Sequence, residues 1–529
     1  MKRLLPPLPL GEASFTNLRN DHCLYVDKTD LLTQLILEGR YYFFSRPRRF
    51  GKSLTVSTLH AMFSGQYELF KGLAAEDWVR QQSSHPSPVL HLDMSAFGEI
   101  DSPEKLQRGI RYTLQRFAVL HKLEIPQEND PDLLLPLLLQ AAQQTSAQTA
   151  IVIDEYDYPL LCNLENPQNL EAVRKTLRSF YMVIKACTDY IRFVFITGIS
   201  RFTKTGIFSA LNNLVDISME KKYGALVGYT QNELENNFTA FIEDAIKQNV
   251  MPTKKELLEK IQLYYDGFSF DGETKVYNPF SILSFLRNYK FSNYWYESGS
   301  TTFMEGYWKT HNIEAPEKYH LIKVQKTTMA AREIEKASPE SMLYQAGYLT
   351  IVKNTDDSLI LDYPNQEVVN SLAEMYLSAI YRIPDYGDIG KRLWRAVRSA
   401  DIATLVKEYN AALASLPYHD FARTTTQSKA HDESFYRSLF LMLLRGCGVQ
   451  AHGEMPACRG RSDVLIEVQE GVLIIEFKLA RKAQERAAKK REGEKQIRES
   501  GYLEPYATVK KAVTSAVFVV DAQKHQIVL

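Results

Sequence analysis

Two short stretches of the sequence combine residue types that could do chemistry on phosphates. The first, RPRRFGKS at 46–53, ends in the Gly-Lys-Ser of a Walker A loop, whose backbone N–H groups surround phosphates at the N-terminus of a helix. Lys52 would reach the β- and γ-phosphates, and the Ser53 hydroxyl would bind Mg²⁺. Because the first position of the motif is Arg46 instead of glycine, these residues alone also fit a basic turn before an amphipathic helix. The predicted nucleotide-binding residues of this loop are Arg46, Pro47, Arg48, Arg49, Phe50, Gly51, Lys52 and Ser53.

A pair of adjacent carboxylates follows the apolar run 151–153. Asp154 would hold Mg²⁺ through its water shell, and Glu155 would polarise the attacking water. On its own, an Asp-Glu pair after a strand is more often a helix cap or part of a solvated loop. The loop at 46–53 also has a strand-like run before it and a helical pattern after it. Together, the loop and the pair predict a site for ATP and Mg²⁺.

The second stretch joins Asp463 to a Glu-x-Lys motif at Glu476 and Lys478. Side chains alternate along a strand, so Glu476 and Lys478 share one face, and a hairpin can bring Asp463 beside them. Two carboxylates and a backbone carbonyl suit Mg²⁺, which would activate water for attack on a phosphate. Lys478 would orient or help to deprotonate that water, or stabilise the oxyanion. The alternative is an ordinary cross-strand charge pair, but unpaired charges are costly in so apolar a strand, which favours a functional site.

The elements that must position these residues can be predicted from the apolar pattern. The predicted strands of the first third are 41–44, 89–93, 151–153 and 193–196, and one helical stripe comprises Leu170, Val173, Leu177, Phe180, Tyr181 and Ile184. This alternation is typical of a parallel α/β sheet. The segments 230–289 and 300–430 have a mostly helical pattern. A helix at 435–444, strands at 464–468 and 472–477, a helix at 481–499 and a strand at 516–520 predict a separate α/β domain.

The composition limits the class of protein. A chain of 529 residues exceeds what one hydrophobic core usually serves, so we expect two or three domains. Lys+Arg and Asp+Glu both number 63, so any contact with nucleic acid must be local. Five cysteines without a CxxC pair argue against disulfides or structural zinc and fit a reducing cytosol. No apolar run is long enough to cross a bilayer, so we expect a cytoplasmic protein without membrane contact.

Further runs accompany the loop across residues 5 to 300. They are YVDKT at 25–29, IDEYD at 153–157, TGISR at 197–201, NNL at 212–214, YDGF at 265–268 and VYNP at 276–279. Together with SRPRRFGKS at 45–53, they resemble the predicted AAA-ATPase family of bacterial and archaeal proteins, in which arginine at the first loop position is usual. The resemblance implies ATP handling and no known biological task.

Two residues beyond the loop are candidates through their likeness to AAA-type ATPases. Thr197 ends a predicted buried strand, where such ATPases carry a polar sensor of the γ-phosphate, although a threonine also simply suits a strand end. Arg201 could serve as an arginine finger in cis or in trans, and Arg48 and Arg49 compete with it for that role. Because a neighbouring copy often completes AAA-type sites, a homo-oligomer is a further expectation.

The C-terminal residues 431 to 520 resemble PD-(D/E)XK nucleases. The resemblance is carried by RGRSD at 459–463 and IEFKL at 475–479. It implies that Gln496, followed by Tyr502, is the additional polar helix position of many such nucleases, and that Glu433 is an additional acidic residue. Some relatives keep this fold without cleavage. The basic helix at 481–495 could follow a phosphate backbone or be an ordinary solvated helix.

These features predict a mixed α/β chain of four parts. The predicted parts are a P-loop, AAA-like ATPase core with a parallel sheet at 1–225, a helical lid-type region at 226–300, a mostly helical linking region at 301–430, and a restriction-endonuclease-like domain at 431–529. The predicted function is a Mg²⁺-dependent nuclease, acting on DNA or RNA, that an ATPase regulates or powers. The alternative is an ATP-gated binding or signalling protein with an inactive nuclease-like domain. A P-loop kinase is a weaker option, since the Asp154-Glu155 pair indicates water as the acceptor.

Overall fold

The computed structural model describes residues 5–201, 211–298, 307, 319–329, 336–379, 386–416, 433–457, 460–468, 471–502, 504 and 512–529. The chain divides into two compact units. The first comprises residues 1–313 and 321–365, and the second comprises residues 314–320 and 366–529. Within the described ranges, no helix is both long enough and apolar enough to span a bilayer.

A parallel sheet forms the centre of the first unit. Its strands are β1 Tyr41–Ser45, β2 Val89–Asp93, β3 Thr149–Asp154, β4 Ile191–Gly198 and β5 Val215–Asp216. They lie in the order β2-β3-β4-β1-β5, and every neighbouring pair is parallel. β3 is buried along its whole length, as expected of an apolar strand in a sheet covered on both faces. The predicted P-loop type of sheet is confirmed, and the carboxyl ends of β1, β3 and β4 meet at one edge.

Helices follow the strands in sequence and then form a group of their own. The helices of the first unit before residue 300 are α1 Phe15–Asn20, α2 Thr29–Glu38, α3 Lys52–Phe63, α4 Glu76–Gln82, α5 Pro103–Leu120, α6 Pro131–Thr145, α7 Tyr158–Leu161, α8 Pro167–Ala186, α9 Gln231–Asn237, α10 Thr239–Lys247, α11 Lys254–Tyr265, α12 Pro279–Asn288 and α13 Tyr294–Ser298. All six residues of the predicted stripe on α8 are buried. α8 begins where sequence chemistry predicts a start, because the Asn166 side chain accepts from the Asn169 N–H and Pro167 is the first helical residue.

The helices α9 to α12 surround an apolar core of their own. This core includes Phe238, Ile261 and Phe285. α9 starts in a capping box between Thr230 and Glu233, and the Glu233 carboxylate also binds Lys28 Nζ at 2.6 Å. The helical character predicted for 226–300 is therefore present, while the boundaries of that region stay a prediction.

The region 301–430 contains a small sheet in addition to the expected helices. It contains β6 Ile322–Gln325, α14 Pro339–Ala346, β7 Thr350–Asn354 and β8 Ser358–Asp362, and the strands form an antiparallel sheet in the order β6-β8-β7. These strands have only four or five residues, which is too short for a period-2 pattern to stand out. Leu359 and Leu361 alternate correctly and are buried, but a helical pattern also accommodates two such residues. The later described part of the region contains the helices Gln366–Ala379, Tyr386–Arg398 and Ile402–Ala414.

The second unit contains a mixed sheet flanked by helices. Its elements are α15 Gln366–Ala379, α16 Tyr386–Arg398, α17 Ile402–Ala414, α18 Glu433–Gly446, β9 Ala451–Ala457, β10 Gly460–Val468, β11 Gly471–Ala480, α19 Arg486–Glu499, β12 Ala512–Asp521 and β13 Gln526–Val528. The strand order is β13-β12-β11-β10-β9. β11 and β12 are parallel and α19 connects them, whereas the other pairs are antiparallel. The predicted C-terminal α/β fold is thus confirmed, with β9 and β13 as strands that the sequence pattern did not reveal, while the domain boundary at residue 431 stays a prediction.

Candidate functional sites

The loop between β1 and α3 has the backbone shape of a phosphate-binding turn. Arg49 (φ 67°) and Gly51 (φ 99°) both adopt left-handed conformations, and α3 begins at Lys52. Lys52 Nζ donates to the carbonyl oxygens of Arg46 and Pro47, each at 3.0 Å. Burial lowers the pKa of Lys52, and the charges of Glu155 and Asp154 oppose that shift. The amine therefore rests on neutral loop oxygens that a phosphate could replace.

Arg46 lies beneath the loop, and its side chain is almost fully buried. Its Nη1 donates to the carbonyls of Ser45 at 2.9 Å and Ser218 at 2.6 Å, and its Nη2 donates to the Tyr223 carbonyl at 3.3 Å. The guanidinium carbon lies 4.3 Å from the ring centroid of Phe44 and 4.1 Å from that of Phe270. The side chain is thus a brace inside the fold, and Arg46 contributes to the loop through its carbonyl oxygen, which accepts from Lys52.

The two carboxylates after β3 lie next to the loop. Asp154 is buried, and its carboxylate accepts a hydrogen bond from the Ser53 side chain. Burial raises the pKa of Asp154, against the opposing effects of Ser53 and Lys52. Glu155 is held at a left-handed φ of 48°, and burial raises its pKa too, with the charge of Lys52 opposing. The structure therefore brings Ser53, Asp154, Glu155 and Lys52 together, as the sequence predicted.

Thr197 is near the end of β4, paired in register with Phe44 of β1. Its hydroxyl is buried and has no hydrogen-bond partner among the described residues, while its carbonyl accepts from the Tyr156 N–H at 3.1 Å. A buried hydroxyl without a partner is uncommon and is compatible with a sensor role. Asp157 was not a predicted site residue. Its carboxylate accepts from the N–H groups of Ile199 (3.1 Å) and Ser200 (2.6 Å) and so fixes the turn after β4.

A cavity of about 500 Å³ lies at the loop, a size typical of small-ligand sites. Its lining includes the predicted residues Arg48, Arg49, Gly51, Lys52, Ser53 and Glu155, together with Tyr229 and Phe280. The predicted residues outside this lining are Arg46, Pro47, Phe50, Asp154, Thr197 and Arg201. Phe50 is a buried packing residue whose ring centroid lies 4.9 Å from that of Phe268. Arg48 and Arg49 therefore reach a ligand in the cavity more directly than the other arginines.

Arg201 is engaged within its own unit. Its Nε lies 2.5 Å from Asp216 Oδ2, and its Nη1 lies 2.8 Å from the sulfur of Met219. Its backbone N–H donates to Gln345 Oε1 at 3.0 Å. Service as an arginine finger would require this ion pair with Asp216 to open, so the finger role stays a prediction.

The second predicted site forms where β10, β11 and α18 meet. Val464 of β10 pairs with Ile475 of β11, which places Asp463 and Glu476 next to this pair. Asp463 Oδ2 accepts from the Phe477 N–H at 2.8 Å, and Asp463 Oδ1 accepts from Arg437 Nη1 at 2.9 Å. Arg437 was not a predicted site residue. The carboxylate of Asp463 is therefore oriented by the backbone of β11 and paired with a cation from α18.

Glu476 and Lys478 form a buried ion pair on one face of β11. Lys478 Nζ lies 2.8 Å from Glu476 Oε1, whereas Glu476 Oε2 is buried without a hydrogen-bond partner among the described residues. Burial raises the pKa of Glu476 to about 7, and the charge of Asp463 adds to this effect. Burial alone would lower the pKa of Lys478, but Glu476, Glu433 and Asp463 outweigh it and raise this pKa.

Two further predicted residues support this cluster. Glu433 Oε2 accepts from the Leu479 N–H at 3.0 Å, and Glu433 Oε1 lies 3.8 Å from Lys478 Nζ. Gln496 of α19 does not contact the carboxylates by hydrogen bonds. Its Nε2 donates to the Tyr502 hydroxyl at 2.9 Å, and that hydroxyl donates to the Arg461 carbonyl at 2.6 Å. Gln496 and Tyr502 thus tie α19 to β10 beside the cluster.

The donor set of the cluster fits a divalent oxygen-seeking cation. Glu476 Oε2 is a buried carboxylate oxygen that lacks a partner, and an unpaired buried oxygen of this kind is costly unless something binds it. Among the described residues, no group of three or more His, Cys, Asp or Glu side chains is arranged to hold a metal ion. A cation here would therefore use Asp463 and Glu476, with a backbone carbonyl and water as remaining ligands.

Comparison with known proteins agrees with both predicted domains. Residues 9–208 match the family model described as predicted AAA-ATPase, and residues 431–528 match that of the PD-(D/E)XK nuclease superfamily. The chain is also 31% identical, over 507 residues, to an uncharacterized protein in the vnfD 5′ region of Azotobacter chroococcum mcd 1. That alignment covers 94% of this chain and 93% of the relative. The chain belongs to the predicted AAA-ATPase family. Its C-terminal part is a PD-(D/E)XK nuclease superfamily domain, so both predicted resemblances are confirmed.

The charged helix α19 of the PD-(D/E)XK domain satisfies part of its own charge. Lys489 Nζ lies 2.8 Å from Glu492 Oε2, and Lys495 Nζ lies 3.7 Å from Glu499 Oε1. Such pairs one helical turn apart are typical of a solvated helix face. Contact with a phosphate backbone and simple solvation therefore both stay open for this helix.

Proposed function

We propose that the AAA-ATPase-like domain binds and hydrolyses ATP and that the PD-(D/E)XK domain cleaves nucleic acid under the control of that ATPase. The observation that carries the proposal is Glu476 Oε2, a buried carboxylate oxygen without a partner beside Asp463 and Lys478. For the ATPase, support comes from Lys52 resting on neutral carbonyls and from the contact between Ser53 and Asp154. The coupling is motivated by the presence of both domains in one chain.

Each residue of the ATP site has a role that its position supports. Phosphates would take the place of the carbonyl oxygens now bound by Lys52, and Arg48 and Arg49 would contact the ligand from the cavity wall. Ser53 and Asp154 would hold Mg²⁺, and Glu155 would orient and polarise the attacking water. The raised pKa of Glu155 suits a group that accepts a proton. Thr197 would report on the γ-phosphate.

In the PD-(D/E)XK domain, Asp463 and Glu476 would hold the cation. Mg²⁺ supplies a Lewis acid that makes water a better nucleophile and neutralises charge on the phosphate. Lys478 would orient the water and donate to the developing oxyanion. Gln496 would position α19 through Tyr502. Nucleic acid is the proposed partner, with DNA and RNA both open. We also propose a cytoplasmic location, and homo-oligomers as the usual arrangement of AAA-type sites.

Cleavage of plasmid, single-stranded DNA and RNA with Mg²⁺ or Mn²⁺ tests this proposal. Wild type is compared with Lys478→Ala and Lys52→Ala, each with and without ATP. We expect Lys478→Ala to abolish cleavage and Lys52→Ala to change its response to ATP. If ATP analogues leave cleavage unaltered while ATP hydrolysis is normal, the proposed coupling is wrong. The proposals of ATP hydrolysis and of nucleic-acid cleavage would each still hold.

A second candidate function has its own supporting observation. Asp463 is already paired with Arg437, and Glu476 with Lys478, so the cluster can be stable without a metal ion. The chain would then be an ATP-gated binding protein whose PD-(D/E)XK domain holds nucleic acid or a partner without cutting it. Intact ATP hydrolysis that is sensitive to Lys52→Ala, with no cleavage of any substrate, would favour this function.

A further inference from the structure

Arg437 binds the oxygen of Asp463 that the backbone of β11 does not hold. One carboxylate oxygen, Oδ2, is held by the Phe477 N–H at 2.8 Å and so belongs to the framework of β11. The other, Oδ1, accepts from Arg437 Nη1 at 2.9 Å. The remaining candidate ligand, Glu476 Oε2, has no partner among the described residues. A cation joining Asp463 to Glu476 would therefore compete with the Arg437 guanidinium.

The charges of the cluster make this competition unequal. Three carboxylates, those of Asp463, Glu476 and Glu433, face the two cations Arg437 and Lys478. When all are ionised, the cluster carries one net negative charge, and a bound divalent cation would turn this into one net positive charge. A guanidinium and a divalent cation on one partly buried oxygen repel strongly, so the side chain that can move must leave.

Arg437 can leave without moving its helix. Tyr436 and Phe440 of α18 are buried, and Glu433 fixes the start of the helix to the backbone of β11. The Arg437 side chain itself is 19% exposed, so its guanidinium has a route to solvent. Without Arg437, the three carboxylates, Lys478 and a divalent cation carry no net charge, so they offer the released guanidinium no new anionic partner. The guanidinium is then well suited to bind a phosphodiester, because its planar fork matches two phosphate oxygens.

We propose that Arg437 exchanges partners during function: it holds Asp463 until a divalent cation takes Oδ1, and it then binds a phosphate of the nucleic-acid backbone. The proposal rests on the proposed nuclease function. Arg437 is thus a positioning residue before metal binding and a phosphate ligand afterwards. The exchange makes binding of the metal and binding of the nucleic acid positively cooperative, because the metal releases the guanidinium that binds the substrate.

Two binding measurements on the full-length chain without nucleotide test this exchange. Arg437→Gln removes the charge that repels the cation, so Mn²⁺ affinity at the PD-(D/E)XK domain, followed by electron paramagnetic resonance, should rise about tenfold. Asp463→Asn supplies the baseline, since the phosphate-loop site keeps its own cation ligands. In Ca²⁺, anisotropy of a labelled oligonucleotide should show about tenfold weaker binding by Arg437→Gln, since a charged contact with a phosphate is lost. The expected result is therefore tighter Mn²⁺ binding together with weaker oligonucleotide binding in the same variant.

Two control variants separate this role from simple bracing of the fold. Arg445→Gln removes an arginine of the same helix that donates to the Ala451 carbonyl, and it should leave Mn²⁺ affinity unchanged. Arg437→Lys keeps the charge and should leave Mn²⁺ affinity near that of wild type while weakening oligonucleotide binding. If Mn²⁺ affinity falls or stays constant in Arg437→Gln, the exchange is wrong, although the metal site stands. If wild type shows no Mn²⁺ binding that Asp463→Asn removes, the proposed nuclease function fails together with it.

Discussion

The phosphate loop and the carboxylate–lysine cluster of Asp463, Glu476 and Lys478 hold their functional cations in different ways. Lys52 rests on the carbonyls of Arg46 and Pro47, which are neutral acceptors. Lys478 instead rests on Glu476, which is itself a proposed metal ligand. An ion pair adds the Coulomb attraction between two full charges, which a bond from an ammonium to a neutral carbonyl lacks. The phosphate loop can therefore accept an anion by exchanging weaker bonds, whereas the cluster must first give up an ion pair.

The largest effect that tests this difference between the two sites is expected at Lys52. Lys52→Ala should lower kcat for ATP hydrolysis by about 10²–10³-fold, because it removes a fixed charge aimed at the β- and γ-phosphates. Phosphate release measures this effect, and Lys71→Ala, which changes an exposed lysine paired with Glu68, serves as the control. Hydrolysis at the wild-type rate would mean that Lys52 only braces the loop.

The next largest effect is expected at Arg46, whose side chain braces the phosphate loop from beneath. Arg46→Gly restores the usual first residue of a phosphate loop, yet it should cost about 3 kcal/mol of unfolding free energy, because three carbonyls lose a charged donor. Denaturant unfolding followed by circular dichroism measures it at the transition of the AAA-ATPase-like domain. Arg46→Lys keeps the charge but not the planar guanidinium. Its free energy of unfolding should therefore lie between those of wild type and Arg46→Gly. A variant as stable as wild type would contradict the bracing role.

The cluster should show a pH dependence that is set by Glu476. Burial raises the pKa of Glu476 to about 7, so the folded protein keeps a proton that the unfolded chain loses from the ordinary glutamate pKa of 4.5 upwards. The contribution of Glu476 to stability therefore falls as pH rises through this window. Because a metal ion needs the carboxylate, Mn²⁺ affinity should rise by up to about tenfold per pH unit below pH 7 and then level off.

Titration of Mn²⁺ at several pH values checks this prediction. Glu476→Gln should bind Mn²⁺ weakly and without this pH dependence, while Glu467→Gln, which changes an exposed residue of β10, should keep the wild-type profile. A wild-type affinity that stays constant below pH 7 would show that Glu476 is ionised throughout.

The smallest effect is expected at the link between α19 and β10. Tyr502→Phe removes the hydroxyl that joins Gln496 to the Arg461 carbonyl and should cost about 1 kcal/mol of unfolding free energy. Tyr112→Phe changes a tyrosine that is 60% exposed, so it should leave the free energy of unfolding unchanged. If Gln496→Ala reduces cleavage while Tyr502→Phe does not, Gln496 acts on the substrate directly instead of positioning the helix.

The two sites also differ in how much of them the sequence can predict. The strands that end at Asp154 and Thr197, and the hairpin around Glu476, were predictable because long apolar runs ended at polar residues. The brace at Arg46 was not, because its partners Ser218 and Phe270 lie far along the chain. Local pattern carries no information on such contacts.

Arg437 was missed for a different reason. An arginine on an amphipathic helix is ordinary, and only its spacing of four residues after Glu433 indicates a shared face. The short strands β6 to β8 were missed because a few alternating residues cannot be distinguished from a helical pattern. The roles of the individual site residues stay predictions until these variants are measured.

The close approach of residue 347 to the phosphate loop has a consequence for how the protein is made. At Gly347 (φ 93°), a β-carbon would lie only 2.8 Å from Pro47 Cβ, so glycine lets the segment after α14 reach the loop. The loop emerges early from the ribosome, but this neighbour emerges roughly 300 residues later, and such distant contacts form slowly. A nascent chain would therefore contain the phosphate loop before the residues that pack against it have been synthesised. A fragment limited to residues 9–208 would lack those residues altogether. Nucleotide binding should appear late in synthesis, after residue 347 has left the exit tunnel.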